Sequence, residues 1–226
     1  MREEKRVIIW YWSVKGGVGT SVVAAATAIR LASADREATL VDLAGDQPAL
    51  LGLTSGAGSG EAGIGDWVAA GEGVAADAIG RLLLDVAPGL RLLPQGSKPA
   101  VETESQSRRR LVLALEMLAR TGAVVVDAGL DASAVRSVLG SGHRSVCVLR
   151  SCYLALNRAQ QVPGPYDHVV LVEEPGRALR VRDVAAAIAA SRVEAVPWDP
   201  RVARAVDAGT IVSMLPPPLR RFELPT

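Results

Sequence analysis

Ser13-Val14-Lys15-Gly16-Gly17-Val18-Gly19-Thr20-Ser21 stands between an apolar run, Val7 to Trp12, and a helical pattern that continues from Val22 to Leu31. The order is strand, glycine-rich loop, helix. Such a loop turns successive backbone N–H groups toward one point, and the helix N-terminus behind it adds partial positive charge, so the segment predicts a cradle for a phosphate. Gly16, Gly17 and Gly19 let the main chain approach an anion without Cβ clashes. Ser21 falls where a hydroxyl reaches a magnesium ion bridging phosphates.

Against the spacing G-x-x-x-x-G-K-[ST], the loop matches at Gly19 and Ser21 and departs at Val14 and Thr20. Thr20 replaces the lysine that would reach the β- and γ-phosphates, so a full charge is missing where it does most for transfer. Lys15 remains. The chain has three lysines, Lys5, Lys15 and Lys98, against 22 arginines, so a lysine inside the loop points to a need for a compact point charge.

Outward from the loop, short apolar runs alternate with helical patterns, the arrangement of βαβ units and a parallel sheet. Strands are expected at Val7 to Trp12, Ala38 to Leu43, Leu90 to Pro94, Ala123 to Asp127, Ser145 to Arg150, His168 to Glu173 and Arg192 to Val196. Helices are expected at Ser21 to Ser33, Glu102 to Arg120, Ala132 to Leu139, Leu154 to Gln161, Val181 to Ala190 and Pro200 to Ala208. The predicted fold is α/β, a mostly parallel seven-stranded sheet covered by helices on both faces. One domain is expected over residues 1–215, followed by a tail, 216–226, with too many prolines for a helix. Ser55 to Gly65 reads as a flexible glycine-rich loop.

The 226 residues are 49% hydrophobic and carry 25 basic against 24 acidic side chains, so no global field would hold a polyanion or a membrane. Two cysteines are too few for a disulfide scaffold, and the charged Met1 to Arg6 followed by a short apolar run is not a signal peptide, so a cytoplasmic protein is expected. His143 and His168 lack neighbours at metal-ligand spacing.

Lys-Gly-Gly-Val-Gly-Thr-Ser at Lys15 to Ser21 resembles the deviant P-loop of the ParA/MinD partition and positioning ATPases, whose usual form is K-G-G-x-G-K-[ST]. Thr at the second lysine is similar to the CpaE/TadZ-like proteins of pilus assembly. The resemblance implies a nucleotide-sandwich homodimer in which Lys15 reaches the partner's phosphates. It implies ATP and Mg²⁺ as cofactors, with Lys15, Gly16, Gly17, Val18, Gly19, Thr20 and Ser21 around the phosphates. Thr39-Leu40-Val41-Asp42-Leu43 resembles the second strand and first switch, ordinarily D-x-D; Asp42 is present, Ala44 takes the second place, and Asp46 substitutes only if the loop bends. Ala123 to Gly129 resembles the Walker B strand, with Asp127 toward the metal and Gly129 in the second switch. The implied metal set is Ser21, Asp42 and Asp127, and the implied catalytic pair is Lys15 and Asp42. Val196 to Pro200 resembles the loop that passes the nucleotide base, giving Pro197 and Asp199 to the cofactor; equally, Asp199 and Pro200 begin an ordinary capped helix.

The resemblance implies a dimeric partition or positioning switch with an adaptor partner such as a ParB-like protein. Thr20 and Ala44 together predict slow or absent hydrolysis. Arg177 to Thr226 carries eight arginines against five acids, a local excess compatible with nonspecific DNA contacts. Two alternatives stay open: a nucleotide-independent pseudo-ATPase scaffold of a pilus or secretion complex, and an ATP-dependent amide-forming enzyme of the same superfamily.

Overall fold

The computed structural model describes residues 7–34, 36–53, 62–99, 105–130, 143–162 and 166–225. Its strands are β1 (Ile8–Trp12), β2 (Ala38–Asp42), β3 (Leu84–Ala87), β4 (Leu90–Leu93), β5 (Ala123–Asp127), β6 (His143–Arg150), β7 (His168–Glu173) and β8 (Val193–Pro197). The described helices are α1 (Thr20–Ala32), α2 (Gln47–Leu50), α3 (Ile64–Ala69), α4 (Ser105–Leu118), α5 (Tyr153–Gln161), α6 (Val181–Ile188), α7 (Pro200–Asp207) and α8 (Pro217–Arg221). The strands form one sheet in the order β3-β4-β2-β5-β1-β6-β7-β8, parallel except for the β3–β4 pair.

β1 lies inside the sheet, hydrogen-bonded to β5 and β6, and all five of its residues are buried. A strand covered on both faces has no reason to alternate polar with apolar, hence Ile-Ile-Trp-Tyr-Trp. Successive side chains point to opposite faces. Ile8, Trp10 and Trp12 join the core under α3, α4, α5 and α6, while Ile9 and Tyr11 join the core under α1 and α8. On that second face Ala24, Ala25, Ala26 and Ala28 of α1 are fully buried, and such small side chains let the helix sit close to the strands. The Tyr11 hydroxyl and Thr27 hydroxyl meet at 2.7 Å, satisfying two polar groups that burial would otherwise penalise.

The predicted strands recur within about two residues at each end, but the sheet has eight strands, not seven. The additional β3 is an antiparallel edge strand, joined to β4 by a turn at Gly89, whose φ is +74°. Its half-buried Leu-Asp-Val-Ala lacks the continuous apolar run that marks its neighbours. The tail also departs from expectation: residues 217–221 are helical. Pro217 and Pro218 occupy the first turn, where no intrahelical N–H is required. Leu219 and Phe222 then bury against α1, with the Arg30 guanidinium 5.0 Å from the Phe222 ring centre and bonded to the Phe222 carbonyl.

Ile64 and Gly65, read from sequence as the end of a loop, instead open α3. The rest of that glycine-rich stretch up to Glu61, and the helix expected at Ala132 to Leu139, lie outside the described residues. Among the described residues no helix is long and apolar enough to cross a membrane.

Candidate functional site

In a parallel sheet every strand delivers its following loop to the same edge, so the segments after β1, β2, β5, β6 and β8 converge. After β1 the chain turns through Gly17 (φ +71°) and Gly19 (φ +99°), left-handed conformations that glycine adopts without strain. Gly19 precedes α1 with no side-chain cap, and no acidic residue occupies the first turn, so the amides and dipole of that end remain open to an anion. The loop is anchored from behind: the Ser13 amide donates to the Gly129 carbonyl at 2.9 Å, and Arg150 donates to the Gly17 carbonyl at 3.2 Å. The Lys15 ammonium donates to the carbonyl of neighbouring Gly16 at 3.2 Å.

Two cavities meet at this loop. A cleft of about 860 Å³ is lined by Gly16, Gly17, Gly19, Thr20 and Ser21 on one side and by Ala44, Asp46 and Gly129 on the other. A second, apolar pocket of about 330 Å³ is bounded by Val18, Val172, Pro197, Trp198 and Asp199, and shares Gly17, Gly19 and Val206 with the first. Pro197 and Asp199 both line this second pocket. Asp199 also caps α7 by accepting the Arg201 amide at 2.8 Å and pairs with the Arg201 side chain, as the capped-helix reading of that segment expects. Glu174, in the segment after β7, is engaged by Arg150 and Arg177.

Behind the cleft, Asp42 and Asp127 are register partners on adjacent β2 and β5, and both are fully buried. Asp42 accepts the amides of Ala44 (2.9 Å), Gly45 (2.7 Å) and Gln47 (3.0 Å). Three donors from one loop fold it around the carboxylate, and Gly45 takes φ +89° to complete the bend. The bend puts Asp46 on the cleft wall. Burial still dominates, pushing the Asp42 carboxyl up to about 6, with the charge of Asp127 adding to the rise. Asp127 is likewise raised by burial and restrained by the Ser21 hydroxyl, the Gln47 amide at 2.8 Å and the Gly129 amide at 3.1 Å. Gly129 has φ +61°, and a Cβ there would come within 3.1 Å of the Ala44 Cβ, so the loops after β2 and β5 meet through two small residues.

Hard oxygen donors of this kind suit Mg²⁺, and the cluster retains one acceptor without a donor among the described residues, the buried Gln47 Oε1. No group of three or more His, Cys, Asp or Glu there could hold a metal alone, so an ion would complete its shell with phosphate oxygens and water. The residues fit Mg²⁺ bound together with a nucleotide. Gln47 was not singled out from the sequence. Along the chain its only signal is an amide side chain directly after Asp46.

The model of a family described as cellulose biosynthesis protein BcsQ matches residues 7–191. The chain belongs to the BcsQ family. Its fold is that of the ParA/MinD ATPases. A ParA family ATPase from Chlorobium tepidum superposes with a TM-score of 0.71 at 18% identity, over 95% of this chain and 94% of that one. The MinD cell division protein of Aquifex aeolicus gives 0.70 at 20% identity, over 95% and 92%. The septum site-determining protein MinD of Pyrococcus horikoshii, solved with Mg-ADP, gives 0.65 at 18% identity, over 90% and 86%. No curated protein sequence matches. At these identities the solved structures establish the fold of the BcsQ-family chain, including its mostly parallel sheet, and its site rests on the geometry above.

Proposed function

We propose that this BcsQ-family chain is a nucleotide-dependent positioning switch. It binds ATP with Mg²⁺ at the loop between β1 and α1, pairs with a second copy through Lys15, and turns nucleotide over slowly or not at all. The observation that carries the reading is the uncapped, glycine-shaped N-terminus of α1, facing an 860 Å³ cleft with Ser21, Asp42 and Asp127 gathered beneath it. When bound, Mg²⁺ neutralises phosphate charge. The chain's own groups do the remainder: backbone amides bind the phosphates, Ser21 and the two carboxylates orient the ion, and the apolar pocket beside Pro197 and Asp199 takes the base. Slow turnover follows from Thr20, which brings no charge to the phosphates, and from Ala44, which has no group to orient water.

Pairing is supported by the edge on which these groups stand. Leu130 after β5 is 60% exposed and Tyr153 after β6 is 76% exposed, both at the strand ends that flank the loop. The family's description favours an assembly for cellulose synthesis as the cargo, and the MinC:MinD complex of Aquifex aeolicus offers a precedent for a bound adaptor. DNA is a weaker partner, because Arg177, Arg182, Arg192 and Arg201 within the basic C-terminal stretch each pair with a carboxylate. A nucleotide-independent scaffold is the second reading, favoured by the return of the Lys15 ammonium to its own loop.

Calorimetry with ATP, ADP and GTP in the presence of Mg²⁺, joined to size-exclusion chromatography with and without ATP, separates the two. Saturable heat and ATP-dependent doubling of size support the switch. Absence of heat together with unchanged elution removes it in favour of the scaffold.

A further inference from the structure

Gln47 joins three elements behind the cleft. Its backbone amide donates to Asp42 on β2, and its side-chain amide donates to Asp127 on β5 and to the Ser21 carbonyl of α1 at 3.0 Å. Among the described residues it is the one that donates to both buried carboxylates. The side chain is fully buried, both of its amide hydrogens are spent on oxygens of the site, and Oε1 has no donor. A buried acceptor left in that state is unfavourable. A hydrated Mg²⁺, which keeps several of its waters, carries the kind of donor that would satisfy it.

We infer that Gln47 is a positioning residue that couples the cation held near Ser21 and Asp127 to the loop of residues 43–46 and to α2. The inference rests on the nucleotide site proposed above and adds its internal linkage. A cation held by Asp127 would share that carboxylate with the Gln47 amide, which donates to its Oδ2. The backbone of Gln47 is bonded in turn to Asp42, the carboxylate around which the Ala44 and Gly45 amides fold. Ala44 and Asp46 form part of the cleft wall, so the ion's presence is passed to a surface that a second copy or an adaptor can sense.

The test measures nucleotide affinity as a function of Mg²⁺ concentration for the full chain and for Gln47→Leu and Gln47→Glu. Leu removes both side-chain donors and the acceptor; Glu keeps shape and acceptor but exchanges the amide for a second carboxyl against Asp127. Groups that orient metal ligands usually control metal affinity by 10- to 100-fold, so the Mg²⁺ midpoint should rise by about that factor in Gln47→Leu and by less in Gln47→Glu, whose carboxylate adds an anionic oxygen beside the ion. Affinity in EDTA should stay within about threefold of the native chain, a separation that a purely structural role would not produce. An unshifted midpoint, or equal losses with and without Mg²⁺, overturns the inference.

Hydrogen exchange of the native chain bound to ADP supplies a measurement free of variants that fail to fold. Adding Mg²⁺ should slow exchange at the Ala44, Gly45 and Gln47 amides, and unchanged exchange there overturns the coupling. A native chain that binds no nucleotide at all fails at the earlier step and is recognised by the absence of heat before any variant is compared.

Discussion

Replacing Asp42 with Asn isolates the cost of keeping a carboxylate under the cleft. In the folded chain burial raises the Asp42 carboxyl from its ordinary 3.8 to about 6. At about 1.4 kcal/mol per pKa unit, that difference amounts to about 3 kcal/mol. Because the folded value is the higher one, the favourable contribution is complete below the unfolded value near 3.8 and is lost as pH rises through about 6. The native chain therefore carries the charge at its own expense at neutral pH. Asn cannot ionise, although its amide nitrogen faces one of the three N–H groups that Asp42 now accepts, a fixed loss of about 1–3 kcal/mol at every pH. The pH dependence separates the two effects. Urea unfolding followed from pH 4 to 7.5 should show the stability of the native chain falling relative to Asp42→Asn by about 2–3 kcal/mol, while any constant offset stays constant. Mg²⁺ with nucleotide should reverse the trend, since a neighbouring cation favours the ionised carboxyl. Parallel pH profiles for the two proteins would refute the assignment of Asp42 as the charge held in reserve.

Lys15→Ala should leave ATP binding within about tenfold of native while abolishing ATP-dependent pairing, as read by size-exclusion chromatography, because the backbone cradle survives and only the ammonium is lost. Thr20→Lys restores charge at the start of α1 and should tighten ATP by about tenfold or more in calorimetry, with phosphate release still slow because Ala44 is unrepaired. Phe222→Ala should lower stability by about 3–5 kcal/mol in urea unfolding, through loss of a fully enclosed ring and its Arg30 contact.

The strand, loop and helix at residues 7–31 were legible because a buried apolar run, glycines and an alanine-rich helix each leave a strong local pattern. Six further strands were legible for the same reason. What escaped was set by tertiary contact. β3 earns its place by pairing antiparallel with β4, and its own four residues do not alternate or run apolar. α8 is held by Leu219 and Phe222 against α1, information that lies far from the prolines which argued against it. The loop spacing pointed to Ser21, the two strand resemblances pointed to Asp42 and Asp127, and the sheet register brings the two acids side by side. Gln47 could not be found that way, since its importance lies in reaching two other strands, a property invisible along the chain. Arg110 of α4 is a further case that charge along the chain does not reveal: it lies 4.0 Å from the centre of the Trp67 ring and donates to the Trp67 carbonyl.

Four tryptophans give the molecule an intrinsic optical reporter. Trp10, Trp12 and Trp67 are sealed inside, whereas Trp198 is 43% exposed and borders the pocket beside Pro197. A dissolved collisional quencher such as iodide therefore reaches one indole and spares the other three. Emission from that single site becomes a label-free gauge of whether anything has settled against it, recorded on the unmodified chain in a cuvette.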